Sequence, residues 1–200
     1  MYGGVGGAQG RHALRVAGGL ARDLPAADRP DLLLVSRPIS PDLAPQLHAR
    51  FPHCEVVGVD GTLNAARRHM LPSFVRFVPE MFGSRSWTTL RGGALARSGV
   101  TLLKIDCEGC EFRSVVPWAE HVCTEQIILE VHQSPGCRLG VLRPPQRVAR
   151  VHALLSALDA LGYSVYYYEP NPVYPALCGE YSLVRREPCP QASQAEASVG

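Results

Sequence analysis

The chain has 200 residues, enough for one domain with a buried core and too few for two ordinary domains and a linker. Apolar residues make up 46% and charged residues 19%, the balance of a soluble globular protein, and a formal net charge of +2 gives no electrostatic ground for a nucleic-acid partner. No run of about 18 apolar residues is present, and residues 1–10 are Gly-rich instead of a basic run ahead of an apolar block, so neither a membrane span nor a signal peptide is expected and the cytoplasm is the default compartment.

Residues 1–10 and the Pro, Ser, Gln and Ala-rich residues 187–200 cannot bury enough surface to offset their ordering entropy. A flexible N-terminus, a domain over residues 11–186 and a disordered tail are therefore predicted. Short apolar runs rich in Val, Leu and Ile predict strands at Asp31 to Ser36, Glu55 to Asp60, Phe74 to Val78, Val100 to Asp106 and Gln126 to His132. Their near-continuous apolar character suits a parallel sheet covered on both faces.

Helices fit between them. Pro41 to Arg50 has Pro near its first turn, Leu63 to Met70 ends before Pro72, and Trp87 to Arg97 stops ahead of Gly99. The strongest helical periodicity runs from Gln146 to Leu161, with Val148, Val151, Leu154, Leu155, Leu158 and Leu161 on one face and Gly162 as a left-handed cap. Tyr163 to Glu169 and Glu180 to Arg186 follow with no helix between them, which predicts a closing antiparallel pair. The expectation is an α/β, Rossmann-like, seven-stranded and mostly parallel sheet with helices on both faces and a C-terminal antiparallel hairpin.

In such sheets ligands collect beyond the carboxyl ends of the strands, which directs attention to Ser36, Asp60, Asp106 and His132. Asp60, followed by Gly61, can accept hydrogen bonds from both hydroxyls of a ribose, or it can cap the helix beginning near Leu63. Asp106, Glu108 and Glu111 crowd one strand-to-helix turn. Such carboxylates can hold a divalent metal, orient an amine or hydroxyl, or act as a general base, and they also suit the positive end of a helix. Glu130 and His132 flank Val131 and project to one face beside those acids, with His132 a candidate base or metal ligand. The seven cysteines, Cys54, Cys107, Cys110, Cys123, Cys137, Cys178 and Cys189, are scattered and odd in number, so mostly reduced thiols are expected. Cys107 and Cys110 form a C-x-x-C pair that also admits a zinc or redox reading.

The segment Leu103-Lys104-Ile105-Asp106-Cys107-Glu108-Gly109-Cys110-Glu111 resembles the "LKIDIEGAE" signature of FkbM-like S-adenosylmethionine (SAM) dependent methyltransferases and of a related eukaryotic methyltransferase-like domain family. Three further stretches resemble the family in the same order: Gln126 to His132, Tyr168 to Pro172, and Cys178 to Val184. The resemblance covers approximately Leu32 to Arg186.

It implies SAM as cofactor, with Asp60 at the donor's ribose and Asp106, Glu108 and Glu130 lining the acceptor side; taken with the strand-end residues, the expected set is Ser36, Asp60, Gly61 and Asp106 for the donor and Asp106, Glu108 and His132 for catalysis. Glu111 and Glu130 would line the site of a small-molecule, sugar or peptide acceptor, methylated on a hydroxyl or amine. Family members carry a Gly-rich turn after the first strand, whereas the matching turn here reads Val35-Ser36-Arg37-Pro38-Ile39-Ser40. That departure admits an alternative, a non-catalytic binding or scaffold domain that keeps the fold.

Overall fold

The computed structural model describes residues 14–16, 19–21, 32–36, 43–50, 52, 54–83, 100–133 and 142–189. Its elements, in chain order, are β1 (Leu14–Val16), β2 (Gly19–Ala21), β3 (Leu32–Ser36), α1 (Leu43–Arg50), β4 (Glu55–Val59), α2 (Ala65–Arg68) and β5 (Val75–Val78). There follow β6 (Val100–Ile105), α3 (Glu111–His121), β7 (Thr124–His132), α4 (Pro144–Ala160), β8 (Tyr163–Pro170) and β9 (Cys178–Arg185).

One mixed sheet of seven strands has the order β5-β4-β3-β6-β7-β9-β8. The contacts from β5 through β7 are parallel, and β9 joins β7 and β8 in antiparallel pairs. Sequence order runs outward from β3 in both directions, so the switch point lies between β3 and β6. That is where an open α/β sheet leaves a crevice at its carboxyl edge.

Alternation along the central strands explains why both faces are apolar. Leu103, Ile105, Ile127, Leu129 and Val131 belong to one buried cluster with Val115, Trp118 and Ala119 of α3 and Val151, Leu154 and Leu158 of α4. The alternate residues Leu102 and Ile128 are buried as well. Trp118 Nε1 donates to Thr124 Oγ1 (2.9 Å), so the largest ring of the cluster carries no unpaired donor.

Several local predictions change. α2 is a single turn capped by Asn64, whose side chain accepts from Arg67 N (3.0 Å), so the N-cap reading of Asp60 is overturned. The helix that the acidic turn at Asp106 to Glu111 leads into is α3; it holds Pro117 inside it, and burial of Val115, Trp118 and Ala119 overrides the lost backbone bond. Gly162 adopts φ 91°, the left-handed cap expected after α4. An added hairpin, β1 with β2, lies against β7, β8 and β9.

The fold also extends past Arg186: Cys189 is joined to Cys123, and its N–H donates to Glu125 Oε1 (2.7 Å). Residues 187–189 therefore do not belong to a disordered tail. Residues 1–10, 37–42, 84–99 and 190–200, and with them the Gly-rich start, the turn after Ser36, the helix predicted from Trp87 to Arg97 and the rest of the tail, lie outside the described residues.

Candidate functional site

At the carboxyl edge a cavity of about 620 Å³ is lined by residues that follow three parallel strands and by two arginines of the helical layer. The volume falls in the range of small-molecule sites. From β4 come Asp60, Gly61 and Thr62; from the segment after β5 come Glu80, Met81 and Phe82; from the turn after β6 come Cys107, Glu108, Gly109 and Cys110. His132 at the end of β7 closes the wall, with Arg113 of α3 and Arg150 of α4.

Asp60 is buried, and its two oxygens differ. Oδ1 accepts from Thr62 N (2.7 Å) and Thr62 Oγ1 (2.6 Å), while Oδ2 is buried with no hydrogen-bond partner among the described residues. A carboxylate oxygen left this way costs free energy unless a ligand donor meets it. Gly61 allows the cavity to close up: a Cβ there would come within 2.9 Å of Met81 N. Ser36 ends β3 in register with Val59 and Ile105, between the strands that carry Asp60 and Asp106, and its backbone alone is described.

The turn after β6 sorts its three acids. Glu111, the first residue of α3, is wholly enclosed: Oε1 accepts from His132 N (2.7 Å) and Oε2 from Gly109 N (2.8 Å). Glu111 therefore latches the turn to β7 from behind the cavity wall, which corrects its placement on an acceptor. Glu108 lies half-buried in the wall with φ 55°, its carboxylate 3.4 Å from His132 Nε2. Asp106, also half-buried, stands 3.7 Å from the same nitrogen and outside the cavity lining. Glu130 accepts from Asn171 Nδ2 (3.1 Å) and likewise does not line the cavity.

His132 is 3% exposed, and its Nδ1 lies 3.3 Å from Glu111 Oε1. Burial pulls its pKa down, but the carboxylates of Glu111, Glu108 and Glu130 outweigh that and hold it above the ordinary value of 6.5. Asp106, Glu130 and His132 bring one ligand atom each within 4.8 Å of one another, a set chemically able to hold a divalent cation. Period-two alternation had placed Glu130 and His132 together beside the acids of β6, and the structure joins them there.

A row of acids continues across the sheet. Glu130 faces Glu180 on β9, and Glu180 faces Glu169 on β8. Lys104 Nζ forms a buried ion pair with Glu180. Burial pushes the Glu180 carboxyl up to about 7, with Lys104 opposing the shift and Glu130 and Asp106 adding to it.

The thiols are not mostly reduced. Cys107 and Cys110 are joined to each other, Cys123 is joined to Cys189, Cys178 is disulfide-bonded too, and Cys54 forms no disulfide. With both sulfurs of the C-x-x-C spent on one bond, the zinc reading of that pair is withdrawn.

Glu80, Met81, Phe82, Arg113 and Arg150 were not singled out from the sequence. Glu80 had a signal, since it stands just beyond β5 at the same edge as the four strand-terminal residues that were. The arginines had none, because neither stands at the end of a strand.

A cavity at the carboxyl edge, with a buried unpartnered carboxylate oxygen in a lining residue and a His ringed by acids, stands where open α/β sheets collect their ligands. The family model described as a methyltransferase domain matches residues 82–185, and the chain belongs to that family. No curated protein matches it in sequence.

Among solved structures, fibrillarin in its complex with Nop5p is similar in fold (TM-score 0.56, 12% identity, covering 78% of this chain and 73% of that one). So is Aeropyrum pernix fibrillarin with natively bound S-adenosyl-L-methionine (TM-score 0.53, 12% identity, 88% and 83%). A fibrillarin pre-rRNA processing protein of Methanococcus jannaschii also matches (TM-score 0.54, 9% identity, 80% and 69%). The chain thus has the α/β methyltransferase fold with a mixed sheet. Because that fold serves a pre-rRNA processing protein, the exclusion of nucleic-acid partners drawn from net charge is withdrawn. No described helix is long and apolar enough to cross a membrane.

Proposed function

We propose that this chain is a SAM-dependent methyltransferase acting on a hydroxyl or amine, with the donor in the cavity between Asp60 and the turn after β6. The observation that carries the proposal is Asp60 Oδ2, a buried acceptor without a partner in the wall of a donor-sized cavity. Within the methyltransferase family, the likeness of Leu103 to Glu111 to the FkbM-like signature supports the same reading.

Bound SAM supplies an electrophilic methyl group on a sulfonium, so the chain's task is chiefly to position an acceptor in line with it. Asp60 accepts from ribose hydroxyls, Gly61 lets the ligand approach the backbone, and Met81 and Phe82 give the wall an apolar surface. A proton on His132 Nδ1 faces Glu111, which directs Nε2 toward Asp106 and Glu108. Nε2 then takes the acceptor's proton, and the two carboxylates stabilise the imidazolium that results.

Calorimetric titration with S-adenosylhomocysteine tests the reading. One-to-one binding is expected, and no heat at millimolar ligand would overturn it.

A further inference from the structure

The cavity wall carries a feature that methyl transfer does not use. Cys107 and Cys110 line the cavity, both half-buried, and are bonded across the turn between β6 and α3. As a staple this bond contributes little, because its cysteines are 3 residues apart, against 66 for Cys123 and Cys189, and the entropy removed from the unfolded chain grows with loop length. Its local effect is larger: it spans Glu108 (φ 55°) and Gly109 (φ 107°), the two left-handed residues of the turn.

Two independent features suit this bond to exchange. The pair stands at the N-terminus of an 11-residue helix with Cys110 at the cap position, where the helix end stabilises a thiolate. Glu111, fully buried, also holds Oε2 3.4 Å from Cys107 Sγ, a carboxylate placed to share a proton with that sulfur once the bond opens.

We propose that Cys107 and Cys110 form a thiol–disulfide exchange site in the cavity wall, opened by a dithiol reductant. A thiolate of the dithiol attacks one sulfur, the S–S bond breaks, and its electron pair leaves on the other sulfur, which takes up a proton. The second thiol of the reductant gives up its proton and displaces the remaining cysteine, closing the reductant's own disulfide. Two electrons and two protons pass to the protein, and Cys107 and Cys110 end as thiols, the Cys107 proton shared with Glu111. Opening frees the turn that holds Glu108 beside His132. The exchange goes beyond methyl transfer and does not depend on it.

The test uses the full chain, equilibrated in mixtures of reduced and oxidised dithiothreitol, alkylated, and read at each cysteine by mass spectrometry with circular dichroism in parallel. Cys107 and Cys110 are expected to become alkylated together at a reduced-to-oxidised ratio about tenfold or more below that needed for Cys123 and Cys189, with an unchanged spectrum, and to close again on oxidation. Opening of both pairs at one ratio, or labelling of Cys107 and Cys110 only as the spectrum is lost, would overturn the proposal. In Cys110→Ser, Cys107 is expected to form a mixed disulfide with oxidised glutathione, and an unreactive Cys107 in the folded variant would also overturn it. Neither readout needs a methyl donor, so failure of the methyltransferase reading leaves this result standing.

Discussion

Replacing Asp60 by Asn separates binding from folding at one atom. Asn keeps a carbonyl oxygen where Oδ1 receives the two Thr62 bonds at 2.7 and 2.6 Å, and puts an NH2 donor where Oδ2 is buried and unpartnered. A ribose hydroxyl then loses its charged acceptor. A hydrogen bond to a charged group contributes about 1.5–3 kcal/mol, which predicts a roughly 10- to 150-fold loss of S-adenosylhomocysteine affinity by calorimetry. The ligand-free fold is not penalised in the same way, because both Thr62 bonds remain and a buried charge hydrogen-bonded at one oxygen only is removed. Its melting temperature is expected to hold or rise, the signature of a residue kept for function at a cost in stability. Affinity within about threefold of the parent, or a melting temperature lowered by more than about 4 °C, which corresponds to 1–2 kcal/mol at this size, would refute the assignment.

His132 is expected to titrate above 6.5 by NMR, with His132→Gln as the assignment control. Since its folded pKa is raised, its contribution to stability is full below 6.5 and is lost as pH rises through the folded value, while a base at Nε2 gains rate over the same window. A titration below 6.5 would contradict the carboxylate ring. Glu111→Gln keeps one acceptor and turns the other position into a donor facing a backbone N–H. It should cost about 2 kcal/mol, roughly 4–8 °C, and lower the His132 pKa by removing the carboxylate nearest to it; a neutral effect on both would dispose of the latch.

Lys104→Met strands Glu180, whose carboxyl is already raised to about 7. The unfolded chain releases that proton near 4.5, so the loss is small below pH 4.5 and grows as pH rises through 7 and beyond, toward the about 3–5 kcal/mol of a broken buried pair. Urea unfolding at pH 5 and pH 8 reads the difference, and a second change, Glu180→Leu, should recover most of it at pH 8. A single variant equally stable at both pH values would show that Glu180 is not raised.

Parallel strands and their ends were legible because a strand buried on both faces has to be written as an unbroken apolar run that stops at a polar residue. Val56 to Asp60 shows this directly, Leu102 to Asp106 shows it with Lys104 as its one interruption, and both carboxylates stand at the carboxyl edge as the pattern requires. The hairpin of β1 and β2 was not legible, since three residues on each side are too few to show a period. The bond from Cys123 to Cys189 was hidden for a different reason: 66 residues of chain separate partners that only the packed fold brings together. Within the site, residue type identified which acids gather near His132 but not which way each one faces.

That orientation decides role, and it follows from how each carboxylate's acceptor positions are used. Glu111 directs one oxygen to Gly109 N and the other to His132 N inside a closed environment, so it holds the site without being available to a ligand. Asp60 satisfies one oxygen internally and leaves the other, equally buried, in the cavity wall. Glu108 is held by its left-handed backbone with its carboxylate toward His132 Nε2, where it acts on charge. Three acidic residues that look interchangeable in the sequence therefore serve as a latch, a ligand acceptor and a charge partner. Substituting each by its amide should separate them: Glu111→Gln in stability, Asp60→Asn in donor affinity, and Glu108→Gln in the pKa of His132, lowered because the carboxylate that raises it is gone.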